Sequence, residues 1–188
     1  MKKSIAGRML RLLVFSALLS AISIVCGKYL AINMGEFMRF SFENLPIIFA
    51  GMAFGPLVGA LVGIVADLIG CVLVGYAINP IITAAAAVIG FLSGGYFFAQ
   101  RYFSKNGNIS RAARVFLVLV TVAGAHLVGS VIIKSVGLSA FYSAPLHILM
   151  LWRLLNYVIV GALEGLILYH LIGNRAIKSQ IQKIVGKR

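Results

Sequence analysis

Apolar runs longer than ~18 residues recur along this chain, and they constrain its fold more than any other feature. In lipid every backbone N–H and C=O must be bonded within the protein, so such runs predict transmembrane helices. Polar residues or Gly/Pro breaks separate six apolar windows, at 9–27, 44–55, 57–75, 80–100, 113–134 and 147–172. The sequence therefore predicts an all-α integral membrane protein, with residues 1–188 as a single membrane domain.

The distribution of cations decides whether the shortest window, 44–55, spans the membrane. It is roughly 18 Å long as a helix, against a hydrocarbon core of ~30 Å. If it spans, all but four of the 17 Lys and Arg residues lie on the side of the N-terminus. If it does not, two of the three groups of cations cross to the outside, against the positive-inside rule. The charges therefore predict six transmembrane helices with both termini cytoplasmic.

Several function classes are excluded by composition and motif. A net charge of +13 suggests nucleic acid in a soluble protein, but these cations flank apolar spans and form no basic face with interleaved aromatics. The two cysteines are too few for a metal site or a disulfide framework. The chain contains no Walker motif and no paired nucleophile and base. We therefore predict neither an enzyme nor a nucleic-acid partner, and no bound metal.

The exceptions to the charge bias point to the outer half of the membrane. Four cations lie at or near the external face: Lys28, Arg39, Lys134 and Arg153. Lys28 and Lys134 sit at predicted helix ends, where snorkelling is one explanation. Counting depth from the external helix ends places five polar residues within roughly two turns of one another, namely Asp67, Thr83, His126, Arg153 and Asn156. Ionisable residues in a span normally face the protein interior with a partner, so this layer indicates a polar site.

Asp67 and Arg153 are the natural ion pair of this layer, and two interpretations of it remain open. The pair locks the third predicted helix to the sixth, or it forms the floor of an outward-facing pocket. The loops favour the pocket, because "FMRFSF" at 37–42 alternates like a short strand or hairpin and adds aromatic rings and a cation. We predict that a planar, anionic ligand contacts Arg39, Phe40, Asp67, Tyr76, Asn79, Thr83, His126, Lys134, Arg153 and Asn156.

Small residues mark faces where helices approach closely in lipid. In "PIIFAGMAFGPLVGALVGIVADLIG", glycines recur four residues apart at 51, 55, 59 and 63. Gly55 is expected to make the turn between two helices, and the other three to give smooth packing faces. Ala17 and Ala21 form a similar stripe on the first helix.

Three stretches of the chain carry a resemblance to a known family: the first helix, "RFSFENLPIIFAGMAFGPLVGALVGIVADLIG" and "GYAINPIITAAAAVIGFLSG". They resemble the substrate-binding S components of energy-coupling factor (ECF) vitamin transporters, most of all the folate proteins. The resemblance implies a vitamin bound in an outward pocket under the first, third and fifth loops. It also implies docking through Ala17 and Ala21 on a transmembrane coupling subunit (T component), powered by two separate ABC-type ATPase subunits. The setting it implies is a bacterial cell membrane, with the vitamin as ligand and no cofactor.

One departure from the folate pattern leaves the ligand open. Folate members start their fourth helix with Phe-Pro-Gly-Phe-Thr, whereas this chain has "NPIIT", which keeps only Pro80 and Thr83. The alternatives are pantothenate, niacin or a queuosine precursor as the ligand. A more distant alternative is a stand-alone proton-coupled carrier that uses Asp67, Glu164 and His126 as a relay.

Overall fold

The computed structural model describes residues 2–34, 38–106 and 110–185. Eight α-helices run through these residues: α1 (Lys2–Ile24), α2 (Asn44–Phe54), α3 (Pro56–Val74), α4 (Pro80–Asn106), α5 (Arg111–Ala125), α6 (Lys134–Tyr142), α7 (Leu146–Gly173) and α8 (Arg175–Val185). A π-helical turn, Val25–Tyr29, continues α1, and a second π-helix, His126–Ile133, joins α5 to α6. Two short strands, β1 (Ile32–Met34) and β2 (Met38–Phe40), lie between the first π-helix and α2.

Within the described ranges, five helical stretches are long and apolar enough to cross a membrane: Ile5–Tyr29, Pro56–Val74, Pro80–Phe103, Arg111–Phe141 and Leu146–Gly173. The protein is therefore a multi-pass membrane protein. Helix α2 is apolar but has only 11 residues. A count of six spans, with α2 as one of them, stays a prediction.

The glycine ladder behaves as its spacing predicted. Gly55 has φ of 102°, a conformation that a residue with a Cβ rarely adopts, and it reverses the chain between α2 and α3. A Cβ at Gly51 or Gly59 would collide with the backbone at Gly90 of α4, and one at Gly63 with that at Ala86. Helices α2, α3 and α4 therefore pack at close backbone distance, as glycine interfaces allow in lipid.

The predicted strand in the first loop is confirmed, so the fold is helical with one small hairpin. Strands β1 and β2 pair antiparallel, with Ile32 opposite Phe40 and Asn33 opposite Arg39. Asn156 of α7 donates a hydrogen bond to the Arg39 carbonyl at 2.7 Å, which fixes the hairpin against α7.

The two π-helices change which residues face the interior. A π-helical turn inserts one extra residue per turn and often occurs at functional sites. The first carries Lys28, and the second carries His126 and Ser130 and ends next to Lys134. Because the second π-helix runs into α6 without a break, the span continues to Phe141, seven residues beyond the predicted end at 134.

Helix α8 was not anticipated from the sequence. It alternates isoleucines with basic residues, and Ile184 is buried against the rest of the protein. The helix packs on α1, α2 and α7 at the end of the molecule that carries the N-terminus. Such an amphipathic helix is typical of a membrane interface.

Candidate ligand-binding site

A polar pocket lies between the first π-helix and helices α1, α2, α3, α4 and α6. It is lined by Ser23, Ile24, Gly27, Lys28, Glu43, Ile47, Ala66, Asp67, Ala86 and Lys134. Two of the predicted ligand residues, Asp67 and Lys134, belong to this lining. The pocket therefore holds two carboxylates and two ammonium groups.

Asp67 is held by α4 and not by α7. The Thr83 hydroxyl donates to Asp67 Oδ2 at 2.7 Å, and Cys71 Sγ lies 4.0 Å from Asp67 Oδ1. Arg153 Nη1 instead donates to the Ser130 carbonyl at 3.1 Å. The expected Asp67–Arg153 pair is therefore wrong. The reason is packing: α3 lies against α4 and α1, whereas α7 lies against the second π-helix.

Lys134 forms an ion pair with Glu43, a residue that the sequence analysis missed. Its Nζ lies 2.5 Å from Glu43 Oε1 and 3.4 Å from Asn44 Oδ1, and the lysine is only 6% exposed. Snorkelling therefore does not explain Lys134, because α6 extends outward beyond it. Burial acts to raise the pKa of Glu43, but Lys134, with smaller effects from Arg39 and Lys28, lowers it to about 2. The available signal was that Glu43 is one of only four acidic residues in the chain.

The Glu43–Lys134 pair makes stability depend on pH in a defined direction. The pKa of Glu43 is lowered from 4.5 to about 2 on folding, so its stabilising contribution is fully present above pH 4.5 and is lost as the pH falls towards 2. We expect Glu43→Gln to cost about 3 kcal/mol of unfolding free energy at neutral pH, and the cost to shrink in acid. Thermal unfolding of the wild type and of Glu43→Gln in detergent, across this pH range, measures the cost in unfolding free energy. A cost that stays constant down to about pH 3 would contradict the assignment.

Arg39 and Asn156 meet beneath the hairpin and leave two buried polar atoms unused. Arg39 Nη2 donates to the Gly27 carbonyl, and Asn156 Nδ2 donates to the Arg39 carbonyl. Arg39 Nε and Asn156 Oδ1 are buried and have no hydrogen-bond partner among the described residues. Buried polar atoms are normally paired, so this unused donor and this unused acceptor each indicate a place for a ligand group.

His126 lies deeper than the predicted layer. Its Nε2 is 2.6 Å from Glu164 Oε2, its Nδ1 is 3.3 Å from Ser130 Oγ, and its ring stacks on Tyr157 at 4.5 Å. The expectation that His126 belongs to the outer layer is wrong, since depth was counted from residue 134 while the span continues to Phe141. Glu164 is fully buried, and His126 is its hydrogen-bond partner.

A chain of buried hydrogen bonds connects this pair to the pocket wall. Asn44 Nδ2 lies 3.4 Å from Ser130 Oγ and 3.5 Å from the Tyr157 hydroxyl, and Asn44 Oδ1 accepts from Lys134. Polar groups therefore run from the pocket to the His126–Glu164 pair without interruption.

The remaining predicted residues lie around the pocket. Asn79 has a structural role, because it donates to the Gly137 carbonyl at 2.9 Å and its Oδ1 accepts from the backbone N–H of Ile81 at the start of α4. Phe40 is half-buried on β2, and Tyr76 is exposed with its ring 5.4 Å from Lys28 Nζ. Their contact with a ligand stays a prediction, as it does for Arg39, Lys134, Arg153 and Asn156.

Ala17 and Ala21 are exposed on the outer face of α1. Large apolar side chains around them, including Leu13, Leu18 and Ile22, are exposed as well. In the part of the chain that the structure describes, no group of three or more His, Cys, Asp or Glu residues is placed to hold a metal ion.

Solved structures with the same fold include a folate-bound protein and two S components. A crystal structure of FolT bound with folic acid has a TM-score of 0.65 at 23% identity, covering 85% of this chain and 90% of that one. The S component for biotin from an ECF-type ABC transporter has a TM-score of 0.61 at 20% identity, covering 93% and 97%. The S component of a bacterial ECF transporter has a TM-score of 0.56 at 16% identity, covering 91% and 98%. No curated protein sequence matches the chain significantly.

The sequence itself carries the family assignment. The family model of the ECF transporter substrate-specific component matches residues 11–178, which is most of the chain. Proteins of this family are components of transporters and not enzymes. The chain therefore belongs to the family of substrate-specific components of ECF transporters.

Proposed function

We propose that this protein is the folate-binding S component of an ECF-type importer. The observation that carries the proposal is Asp67, whose Oδ2 is fixed by Thr83 while its Oδ1 has only a distant thiol contact. A carboxylate held in this way on a pocket wall is an acceptor for N–H donors. Pterin, the ring system of folate, presents adjacent N–H donors along one edge.

Arg39 suits the other end of folate. Folate continues from its ring into a glutamate with two carboxylates. The buried, unused Arg39 Nε belongs to a guanidinium that donates to the carbonyl of Gly27, a residue of the pocket lining. A charge-assisted hydrogen bond from a guanidinium suits a carboxylate. The fold shared with FolT bound with folic acid supports the same ligand.

A calorimetric screen of the purified protein in detergent tests the ligand. We expect folate to bind with a dissociation constant below ~1 µM, and biotin, pantothenate, niacin and a queuosine precursor to bind at least ~100-fold more weakly. Riboflavin and thiamine extend the screen to ring compounds without a glutamate tail. Tight binding of one of these compounds, with none of folate, would transfer the proposal to that ligand.

We further propose that the protein docks through Ala17 and Ala21 on a T component driven by two ABC-type ATPase subunits, in a bacterial cell membrane. The exposed small residues on α1 support this docking face, since helices approach closely at such residues. Six spans with both termini cytoplasmic complete the proposed topology, and the cation distribution supports them.

A stand-alone proton-coupled carrier is the second candidate. The buried chain from Lys134 through Asn44 and Ser130 to the His126–Glu164 pair favours it, because chains of ionisable groups serve as proton relays in transporters. Proteoliposomes containing this protein alone separate the two functions. Uptake driven by a pH gradient without any partner subunit would establish the carrier, and uptake that requires the T component, the ATPases and ATP would exclude it.

A further inference from the structure

Lys28 is one of the four cations that the sequence predicts at the external face, and among the described residues its ammonium has no carboxylate or carbonyl partner. Lys134 is held by Glu43, while Arg39 and Arg153 donate to backbone carbonyls. Among the described residues, the contacts of Lys28 Nζ are Cys71 Sγ at 3.8 Å and the face of the Tyr76 ring at 5.4 Å. A thiol is a weak acceptor, so the three ammonium donors of Lys28 have no strong partner.

The position of Lys28 is specified by its surroundings, which snorkelling would not require. The first π-helix places Lys28 next to α3, and the side chain of Lys28 crosses α3 over Gly70. A Cβ at Gly70 would lie 2.9 Å from Lys28 Cε and 3.6 Å from Lys28 Cγ. The missing side chain at Gly70 therefore forms a groove for the lysine stem, which brings the ammonium to the pocket.

The ammonium and the Asp67 carboxylate face the same part of the pocket. Cys71 Sγ lies between them, 3.8 Å from Lys28 Nζ and 4.0 Å from Asp67 Oδ1. The Asp67 carboxylate is a strong acceptor, and the Lys28 ammonium beside it is a strong donor. Together they are complementary to a ligand edge on which an oxygen acceptor adjoins N–H donors. A ligand carbonyl buried there is removed from water, so its hydrogen bond to the ammonium is stronger than it would be in solution.

We propose that Lys28 is a specificity-determining residue that donates a hydrogen bond to an acceptor oxygen beside the ligand's N–H edge, while Asp67 receives the N–H groups. This inference rests on the proposed function, under which the oxygen is the 4-oxo group of the pterin ring. Lys28 thereby distinguishes rings with an oxo group at this position from rings with an amino group, which presents a second donor to the ammonium.

Substitution of Lys28 with methionine tests the inference, because methionine keeps an unbranched stem over Gly70 and removes the donors. We expect folate affinity to fall about 10- to 100-fold, and Lys28→Arg to stay within about threefold of wild type. The 4-amino analogue of folate should lose less than about threefold with Lys28→Met, since it has no acceptor oxygen there. Lys178→Met, far from the pocket on α8, is the matched control and should leave binding unchanged.

Gly70→Ala gives an independent variant that keeps the charge. Its Cβ displaces the lysine stem, so folate affinity should fall about tenfold in the wild type but little further in Lys28→Met. Thermal unfolding without ligand checks that both variants are folded. Wild-type binding of folate with no loss in Lys28→Met, or with equal losses for folate and its 4-amino analogue, would overturn the inference and leave the proposed function standing. No vitamin binding by the wild type would overturn both.

Discussion

Replacing Asp67 with asparagine is expected to weaken folate binding by about 100-fold or more, the largest effect of any single change in the pocket. Asparagine has the same shape, and the Thr83 hydroxyl can still donate to its oxygen. The substitution replaces Oδ1, which faces the ligand, or Oδ2, which faces Thr83, with an NH2 donor. In the first case two N–H donors meet, and in the second the Thr83 bond must rearrange. Charge-assisted hydrogen bonds contribute about 1.5–3 kcal/mol each, and a pterin edge makes two of them.

Two further variants, compared with Asp67→Asn, locate the effect when folate affinity and thermal unfolding are measured together. Thr83→Val removes the donor that orients Asp67, so we expect a smaller loss of affinity, about tenfold. Arg153→Met removes a bond to the Ser130 carbonyl and should lower the unfolding temperature more than the affinity. If Arg153→Met weakened binding as much as Asp67→Asn, while the unfolding temperature stayed constant, the placement of the ligand edge at Asp67 would be wrong.

The features that the sequence predicted well are local ones. Period-two alternation at 37–42 indicates extended structure, and a hairpin is found there. Glycine before proline at Gly55–Pro56 indicates a break, and the structure has the positive φ that only glycine adopts freely. The long apolar runs all became helices. Each of these signals is read from neighbouring residues, so no knowledge of packing is needed.

The partners of the charged residues were not predictable in the same way. Pairing Asp67 with Arg153 assumed that every polar residue of the layer points to a common centre, but helix rotation decides this. The π-helices shift that rotation, and no propensity in "VCGKY" or "HLVGSVII" announces them. His126 and Lys134 were placed too near the surface for a related reason, because the end of an apolar window at 134 is not the end of the helix.

The role of Glu43 was not recognised from the sequence, because Glu43 lies in a loop. It precedes α2 in a loop, yet it forms an ion pair with Lys134 in the pocket lining. The useful signal was the small number of acidic residues in the chain. In a chain with 17 basic and four acidic residues, each carboxylate has a choice of partners, and a carboxylate beside apolar helices is expected to hold one.

Introducing tryptophan at Ala17 is expected to abolish ATP-driven folate uptake while leaving folate affinity within about twofold of wild type. Ala17 is exposed on α1 and does not line the pocket, to which α1 contributes Ser23 and Ile24 and the first π-helix contributes Gly27 and Lys28. A docking face of small residues depends on close backbone approach, and an indole ring holds two helices apart by several Å. The loss should therefore appear in transport and not in binding.

The matched control is Leu61→Trp, which adds the same ring at an exposed position on α3, on a face formed by the larger side chains of Leu57, Leu61 and Val65. Uptake in proteoliposomes with the T component and the ATPases, together with calorimetry on the isolated proteins, measures both effects. Ala21→Trp, one turn further along the same face, should repeat the result of Ala17→Trp, because both residues belong to one contact. Normal uptake by both tryptophan variants would rule out the α1 stripe as the docking face. Equal loss of uptake in Leu61→Trp would mean that bulk anywhere on the lipid-facing surface blocks transport.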